Sequence, residues 1–219
     1  MGGRLILASA SPRRRELLDG IGLDFEIIPS GVDEEFREGE SPREHVMRLA
    51  REKAFAVSRE NPHSWVLGAD TEVVIDGDVL GKPDTHEEAR EMLNRLIGRM
   101  HLVITGFSIA GENAGVSIDD AVESQVFFKE MSHDEIEWYI KTGEPYDKAG
   151  GYAIQGKGAL FVKEIRGSHT NVIGLPLCEV LSALENVGAV SLDLVANSFY
   201  VARCGEFIKM EGQDPQFRR

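Results

Sequence analysis

The chain has 219 residues, 42% hydrophobic and 28% charged, which is enough for one sizeable α/β domain or one domain with two lobes. A net charge of −13 argues against a general nucleic-acid or acidic-membrane surface, and it makes any basic cluster in a pocket informative. There is no signal peptide or bilayer-spanning run, no His-x-x-x-His pattern, and only Cys178 and Cys204, far apart, so a cytoplasmic protein with buried thiols and no zinc site is expected.

Leu5 to Ala8 reads as a short buried strand. Ser11 then suits an N-cap and Pro12 the first helical position, and Leu17, Leu18 and Ile21 recur at helical spacing. A helix N-terminus offers free N–H groups and favours anions. Arg13 and Arg14 face the wrong end of that dipole, which makes sense if a multiply charged anion sits before them; a solvated basic turn is the other reading. Phe25 to Ile28 is a second strand, followed by an acidic loop, Gly31 to Glu35. Ser41, Pro42 and Glu44 form a capping box. The helix it starts carries Val46, Leu49, Ala50, Ala54 and Val57 on one stripe, with Arg48, Arg51 and Glu52 opposite. Lys53 falls on the stripe side. It either snorkels outward along its stem or reaches into a site at the edge of the core.

Trp65 to Thr71 is an apolar strand that delivers Asp70, and Val73 to Ile75 continues it. Asp76-Gly77 signals a hairpin, and the return strand leads to Lys82. An ion pair or a turn aspartate would be ordinary here, but Gly68 and Ala69 leave room for something to approach the backbone. Thr85 and Glu88 suggest another capping box, before a structural helix through Ala89, Leu93 and Leu96 that stops at Gly98. Leu102 to Ala110 and Val116 to Phe128 read as long strands around a loop at 111–115. Ser132 and Glu135 cap a helix ending near Gly143. The glycine-rich stretch from Gly143 to Gly158 carries Asp147, Lys148 and Gln155, and reads as a binding wall or a mobile surface loop. Ala159 to Ile165 and Asn171 to Ile173 are expected to form a hairpin turning at Arg166-Gly167. Pro176 begins an apolar helix through Val180, Leu181 and Leu184 that ends near Gly188, and no chemistry is legible after about Ala189.

Four stretches in order then resemble one family, the Maf-like nucleoside triphosphate pyrophosphatases. They are Leu7 to Arg14, Arg51 to Ala54, Gly68 to Thr71 with Gly81-Lys82-Pro83, and Asp147 to Gly156; Val172 to Leu177 also fits. The resemblance covers residues 4–187. It implies an α/β fold with an extended mixed β-sheet flanked by helices and two lobes around a deep cleft, as in the ITPase-like proteins. It divides the chain into a domain at 1–188 and an extension at 189–219 of unknown role. It also implies a homodimer, a divalent cation (Mg2+ or Mn2+) and a link to septum formation and cell-division arrest, while the net charge leads us to expect no nucleic-acid or membrane partner. The reaction it implies is hydrolysis of a nucleoside triphosphate to the monophosphate and pyrophosphate, which makes the chain a hydrolase of acid anhydrides. Asp70 is then the proton acceptor, Ser9, Arg14, Lys53 and Lys82 bind phosphates, and Glu34 assists the metal with Asp70. Arg13, Thr71 and Gln155 resemble the dTTP/UTP subgroup rather than the one acting on 7-methylguanosine triphosphate. Ala153 and Glu72 depart from the family pattern. Ala153 stands for a glycine near Gln155. Glu72 stands for an apolar residue and either alters metal preference or points to solvent.

Chemistry makes these roles coherent. A triphosphate carries about four negative charges, and its cleavage depends on positioning and charge stabilisation. Arg13 or Arg14 on the helix turn, Lys53 and Lys82 supply the charge, Asp70 takes a proton, and Gln155 offers a donor and an acceptor to the imide edge of uracil or thymine. A P-loop kinase is disfavoured because no G-x-x-x-x-G-K-[ST] run occurs. A phosphatase releasing orthophosphate, a nucleotide-binding regulator without turnover and an interaction protein acting through the tail remain as alternatives.

Overall fold

The structure, a computed structural model, describes residues 4–111 and 117–191. Cys204, the tail beyond 191, the loop positions 112–115 and Val116, the expected first residue of the second long strand, lie outside the described residues.

One seven-stranded mixed sheet organises the chain. Its strands are β1 (Arg4–Leu7), β2 (Glu26–Ile27), β3 (Ser64–Ile75), β4 (Asp78–Leu80), β5 (Met100–Ala110), β6 (Ser117–Phe128) and β7 (Val162–Arg166). They run in the order β2-β1-β3-β5-β6-β7, with β4 also paired to β3. β1 is parallel to both β2 and β3, and the other pairings are antiparallel. The helices are α1 (Pro12–Gly20), α2 (Pro42–Ser58), α3 (His86–Leu96), α4 (His133–Lys141), α5 (His169–Ile173) and α6 (Leu177–Asn186).

β3 is the strand that makes room for a site. One of its edges pairs with β5 from Val66 to Val74. The other edge is shared: β1 occupies it up to Leu67, and β4 takes it up again at Val73. Among the described residues, 68–72 are therefore left without a strand partner on that edge. The turn between β3 and β4 is as short as expected, with Asp76 and Gly77 both at positive φ, the combination a type I′ turn requires.

Strand alternation sends Gly68, Asp70 and Glu72 to one face of the sheet and Ala69, Thr71 and Val73 to the other. α2 covers the first face at very close range. A Cβ at Gly68 would lie 2.2 Å from the carbonyl oxygen of Ala50, and one at Gly106 would lie 2.4 Å from that of Val46. What approaches Gly68 is thus helix α2, not a ligand. On the opposite face one apolar cluster gathers Leu7, Leu18, Leu67, Ala69, Phe107 and Leu184. A second gathers Val73, Leu93, Val103, Val126, Tyr139 and Phe161. Thr71 stands between them.

The capping boxes at Ser41–Glu44 and Ser132–Glu135 form as expected. At Thr85 only half of one forms: its hydroxyl accepts from the Glu88 N–H, while the Glu88 carboxylate turns to the Asp84 N–H. Two expectations fail. Ser11 occupies the N-cap of α1, but its hydroxyl makes no capping bond. Asn171 to Ile173 is the end of α5, not the second arm of a hairpin. Ser168 Oγ caps α5 by accepting from the Asn171 N–H, and β7 pairs back with β6 instead.

Candidate active site

The unpaired edge at 68–72 opens into a cavity of about 730 Å³, the size range of small-molecule sites. Because no strand among the described residues covers this edge, side chains from both faces of β3 reach the same space. α1 closes one side, the acidic loop another, and the stretch 147–155 forms the far wall.

Lys53 does not snorkel. It is 6% exposed, and its Nζ donates to Asp70 Oδ1 at 2.7 Å and pairs with Glu34 Oε1 at 2.5 Å. The close packing of α2 on Gly68 holds that ammonium over Asp70. An ammonium has three donors, so one remains for a third acceptor. Burial alone would raise the Glu34 carboxyl, but the hydrogen bond from Lys53 and the charges of Lys53, Lys82 and Arg14 hold it below its ordinary value. Lys82 lies exposed on the cavity lining.

Arg14 fills the gap in the sheet edge. Its Nη1 donates to the Ala69 carbonyl at 2.8 Å and to Ser9 Oγ at 3.0 Å, its Nη2 to Thr71 Oγ1 at 3.0 Å, and its Nε to the Gly174 carbonyl at 2.8 Å. Four of its five donors are thus committed to the protein. Burial pulls its guanidinium below the ordinary value, and Asp70 and Glu34 oppose that. Thr71 belongs to the same network. Its hydroxyl meets Thr105 Oγ1 at 2.9 Å and the Gly174 carbonyl at 3.3 Å, and Thr105 donates on to the Asn171 carbonyl. Ser9 Oγ accepts from the Ser11 N–H and from Arg14, which leaves its own hydrogen to donate. Arg13 reaches the far wall, with Nη1 3.9 Å from Asp147 Oδ2.

The far wall is ordered by Glu144, whose carboxylate accepts from Tyr139 Oη and from the Lys157 and Gly158 N–H groups. The Gly150 N–H donates to the Gly81 carbonyl beside Lys82. Gly150 has φ +69, and a Cβ there would lie 2.9 Å from Val73 Cγ1, so the position needs glycine on both counts. Gln155 is exposed on the cavity lining. Among the described residues Asp76 is the one non-glycine with positive φ, so Ala153 sits in backbone any residue adopts.

The sequence reading missed a cluster on the α2 side of Asp70. His45, four and eight residues before Leu49 and Lys53, is 1% exposed and lines the cavity. Its Nε2 is 3.3 Å from Glu72 Oε1, its Nδ1 is 2.8 Å from Glu40 Oε2, and its ring stacks on Phe36. Helical spacing from Lys53 is the signal that could have found it. Glu72 does not point to solvent: it is 8% exposed and its Oε2 is buried without a hydrogen-bond partner. Burial, then the nearby charges of Asp70 and Glu40, push its carboxyl up to about 8. Glu40, by contrast, is held down to about 2 by its hydrogen bonds from Arg48, against the effect of burial. His45, Asp70 and Glu72 each place a potential ligand atom within 4.8 Å of the others.

The sequence profile of the family described as "Maf-like protein" matches residues 4–187. This chain belongs to the Maf family. A "dTTP/UTP pyrophosphatase" of Syntrophus aciditrophicus is 56% identical over 188 residues, covering 86% of this chain and 92% of that protein. One of Geotalea uraniireducens is 50% identical over 186 residues, covering 85% and 96%. Among solved structures, the Staphylococcus aureus Ham1 protein is 16% identical, with a TM-score of 0.45 over 84% of this chain and 99% of that one.

In this Maf protein one cavity therefore collects Ser9, Arg13, Arg14, Glu34, Lys53, Asp70, Thr71, Lys82 and Gln155, all the residues expected from the sequence. They differ in what they leave available. Lys82 and Gln155 are exposed, Lys53 keeps one donor, and Arg14 and Thr71 are largely engaged with the protein itself.

Proposed function

We propose that this Maf protein hydrolyses dTTP and UTP to the monophosphate and pyrophosphate. One observation carries the reading: a cavity of nucleotide size holds a carboxylate, Asp70, hydrogen-bonded to a buried ammonium and surrounded by cations from α1, α2 and the segment after β4. The names of the relatives supply the substrate class.

The triphosphate lies between the α1 N-terminus and Lys82. The first turn of α1 lacks a side-chain cap, so its N–H groups face the anion together with the Ser9 hydroxyl. Lys53 uses its third donor on a phosphate oxygen while its other two hold Asp70 and Glu34. Arg14 acts mostly by holding Ser9, Ala69 and Thr71 in place, and Arg13 binds phosphate at the mouth. Asp70 accepts a proton from the attacking water. Gln155 presents an acceptor and a donor to the imide edge of the base.

The site fits a divalent cation, because two carboxylates, Asp70 and Glu34, come together on the cavity lining, each with an oxygen within 2.7 Å of Lys53 Nζ. Such a cation, Mg2+ or Mn2+ held by Asp70 and Glu34, supplies charge neutralisation for the phosphate oxygens. The two apolar clusters flanking Thr71 are the two lobes of the cleft, residues 1–188 are the catalytic domain, and 189–219 are an extension. The protein works as a homodimer in the cytoplasm, without nucleic acid or membrane. Among the described residues no helix is long and apolar enough to cross a membrane.

The test is product release with UTP, dTTP, CTP, GTP, ATP and 7-methylguanosine triphosphate, scoring pyrophosphate and orthophosphate separately. Pyrophosphate from UTP and dTTP above the others is expected. Orthophosphate as the product overturns the reaction.

A further inference from the structure

The notable feature of this cavity is a histidine and a glutamate buried on the α2 side of Asp70, where neither is used by the reaction described above. We infer that His45, Asp70 and Glu72 form a cation site containing a nitrogen ligand, which takes a first-row transition metal such as Mn2+ or Co2+ in preference to Mg2+. The inference rests on the proposed reaction only in that the cation would lie beside its substrate; binding itself does not need that reading.

Three observations carry it. First, the ligand atoms are assembled: one from each residue lies within 4.8 Å of the others, and all three residues are buried. Second, Glu72 turns its Oε1 toward His45 Nε2 while its Oε2 is buried without a hydrogen-bond partner, a costly arrangement for a polar group more than nine-tenths buried unless a further partner meets it. Glu72 Oε1 and His45 Nε2 are 3.3 Å apart, longer than a charge-assisted hydrogen bond of about 2.7–2.9 Å. It is the spacing of two atoms sharing one cation with bonds of about 2.1 Å, for which neighbouring ligands stand about 3.0–3.5 Å apart.

Third, the histidine is prepared as a ligand. Arg48 grips Glu40 from two directions, Nε to Oε1 at 2.6 Å and Nη2 to Oε2 at 2.8 Å. Arg48 Nη2 also donates to the Glu35 carbonyl and comes within 3.0 Å of His45 Nδ1. Its two hydrogens are already taken by Glu40 and Glu35, so the proton between His45 Nδ1 and Glu40 Oε2 belongs to the histidine. That leaves the Nε2 lone pair facing Glu72 and Asp70. A carboxylate fixing the far nitrogen of a ligating imidazole is the arrangement that sets tautomer and orientation in metal sites. The stack on Phe36, with centroids 3.5 Å apart, fixes the ring plane. Imidazole with carboxylate suits transition metals, whereas Mg2+ prefers oxygen and water throughout.

The experiment uses the full chain, stripped of metal and free of nucleotide. Titration with Co2+, read by its visible absorption, and with Mg2+, read by competition, is expected to show Co2+ binding at least about 100-fold tighter. His45→Phe, which keeps the stack, and Glu72→Gln are each expected to weaken Co2+ binding at least tenfold while changing Mg2+ binding less, and Glu40→Gln to weaken it about 10–100-fold. Should a variant fail to fold, Mn2+ bound to the unaltered protein still decides: its pulsed electron paramagnetic resonance is expected to show a directly bound imidazole nitrogen. Equal affinities for Co2+ and Mg2+, unchanged Co2+ binding in a folded His45→Phe protein, or Mn2+ without a nitrogen ligand would each overturn the inference. None of these results touches the proposed reaction, and a protein that binds Co2+ as described yet releases no pyrophosphate contradicts that reaction alone.

Discussion

Arg13 and Arg14 are neighbours in sequence, but the structure gives them different surroundings. Arg14 is buried and bonded to Ser9, Ala69, Thr71 and Gly174, while Arg13 extends to Asp147 across the cavity mouth. Lysine cannot reproduce the guanidinium fork. Arg14→Lys is therefore expected to lower thermal stability by about 2–4 kcal/mol through broken buried hydrogen bonds, and Arg13→Lys to leave the melting temperature unchanged while raising KM for UTP. Gln155→Glu removes a donor from the base-reading edge. The expected result is at least a roughly tenfold fall in the kcat/KM ratio of UTP to 7-methylguanosine triphosphate, read from parallel assays. Lys53 could be placed near a site because it interrupts an apolar stripe, a signal contained within one helix. His45 shares that helical face with Lys53, but its chemistry was not legible from the helix, since its partners Glu72 and Glu40 come from β3 and from the loop before α2.

At the scale of elements, the legible features are those whose causes are local. Ser41–Glu44 and Ser132–Glu135 cap their helices with residues three positions apart, and Asp76-Gly77 sets its own turn. α5 was not legible because a short helix after Ser168 depends on distant support: Asn171 Nδ2 donates to the Val103 carbonyl and to Ser124 Oγ. Nor was the meaning of Gly68, whose missing side chain admits α2. Gly68→Ala would bring a Cβ to 2.2 Å from the Ala50 carbonyl oxygen and 2.7 Å from the Ala54 nitrogen, both backbone atoms. The helix must shift, and Lys53 with it. A destabilisation of about 1–3 kcal/mol is expected, together with at least a tenfold loss of kcat that added salt or substrate does not restore. Unchanged kcat in a destabilised protein would separate the packing from the site.

For the whole molecule, the decisive feature is the five-residue gap in one edge of β3, which no local pattern announces because it depends on where β1 stops and β4 starts. The same sheet carries a buried titrating group on its far side. His101 contacts Tyr152 Oη at 2.7 Å, and burial lowers its pKa from 6.5 to about 4. Between those values the unfolded chain binds a proton that the folded chain does not, so this residue makes stability fall as pH drops from 6.5 to 4, by about 3 kcal/mol in all. Glu72 acts in the opposite sense. Its folded pKa is raised from 4.5 to about 8, so its contribution is favourable at low pH and is lost as pH rises through that window. The two must be separated by difference: His101→Gln is expected to gain on the unaltered protein by about 3 kcal/mol between pH 7 and pH 4 in chemical denaturation. A constant difference across that range would contradict the assignment.

The central claim is that Asp70, held under Lys53, takes the proton from the attacking water. Its most direct test is single-turnover pyrophosphate release from UTP by Asp70→Asn, with folding checked by circular dichroism. The account predicts a folded protein whose rate is lower by about 10²–10⁴-fold. A rate equal to that of the unaltered enzyme would contradict it.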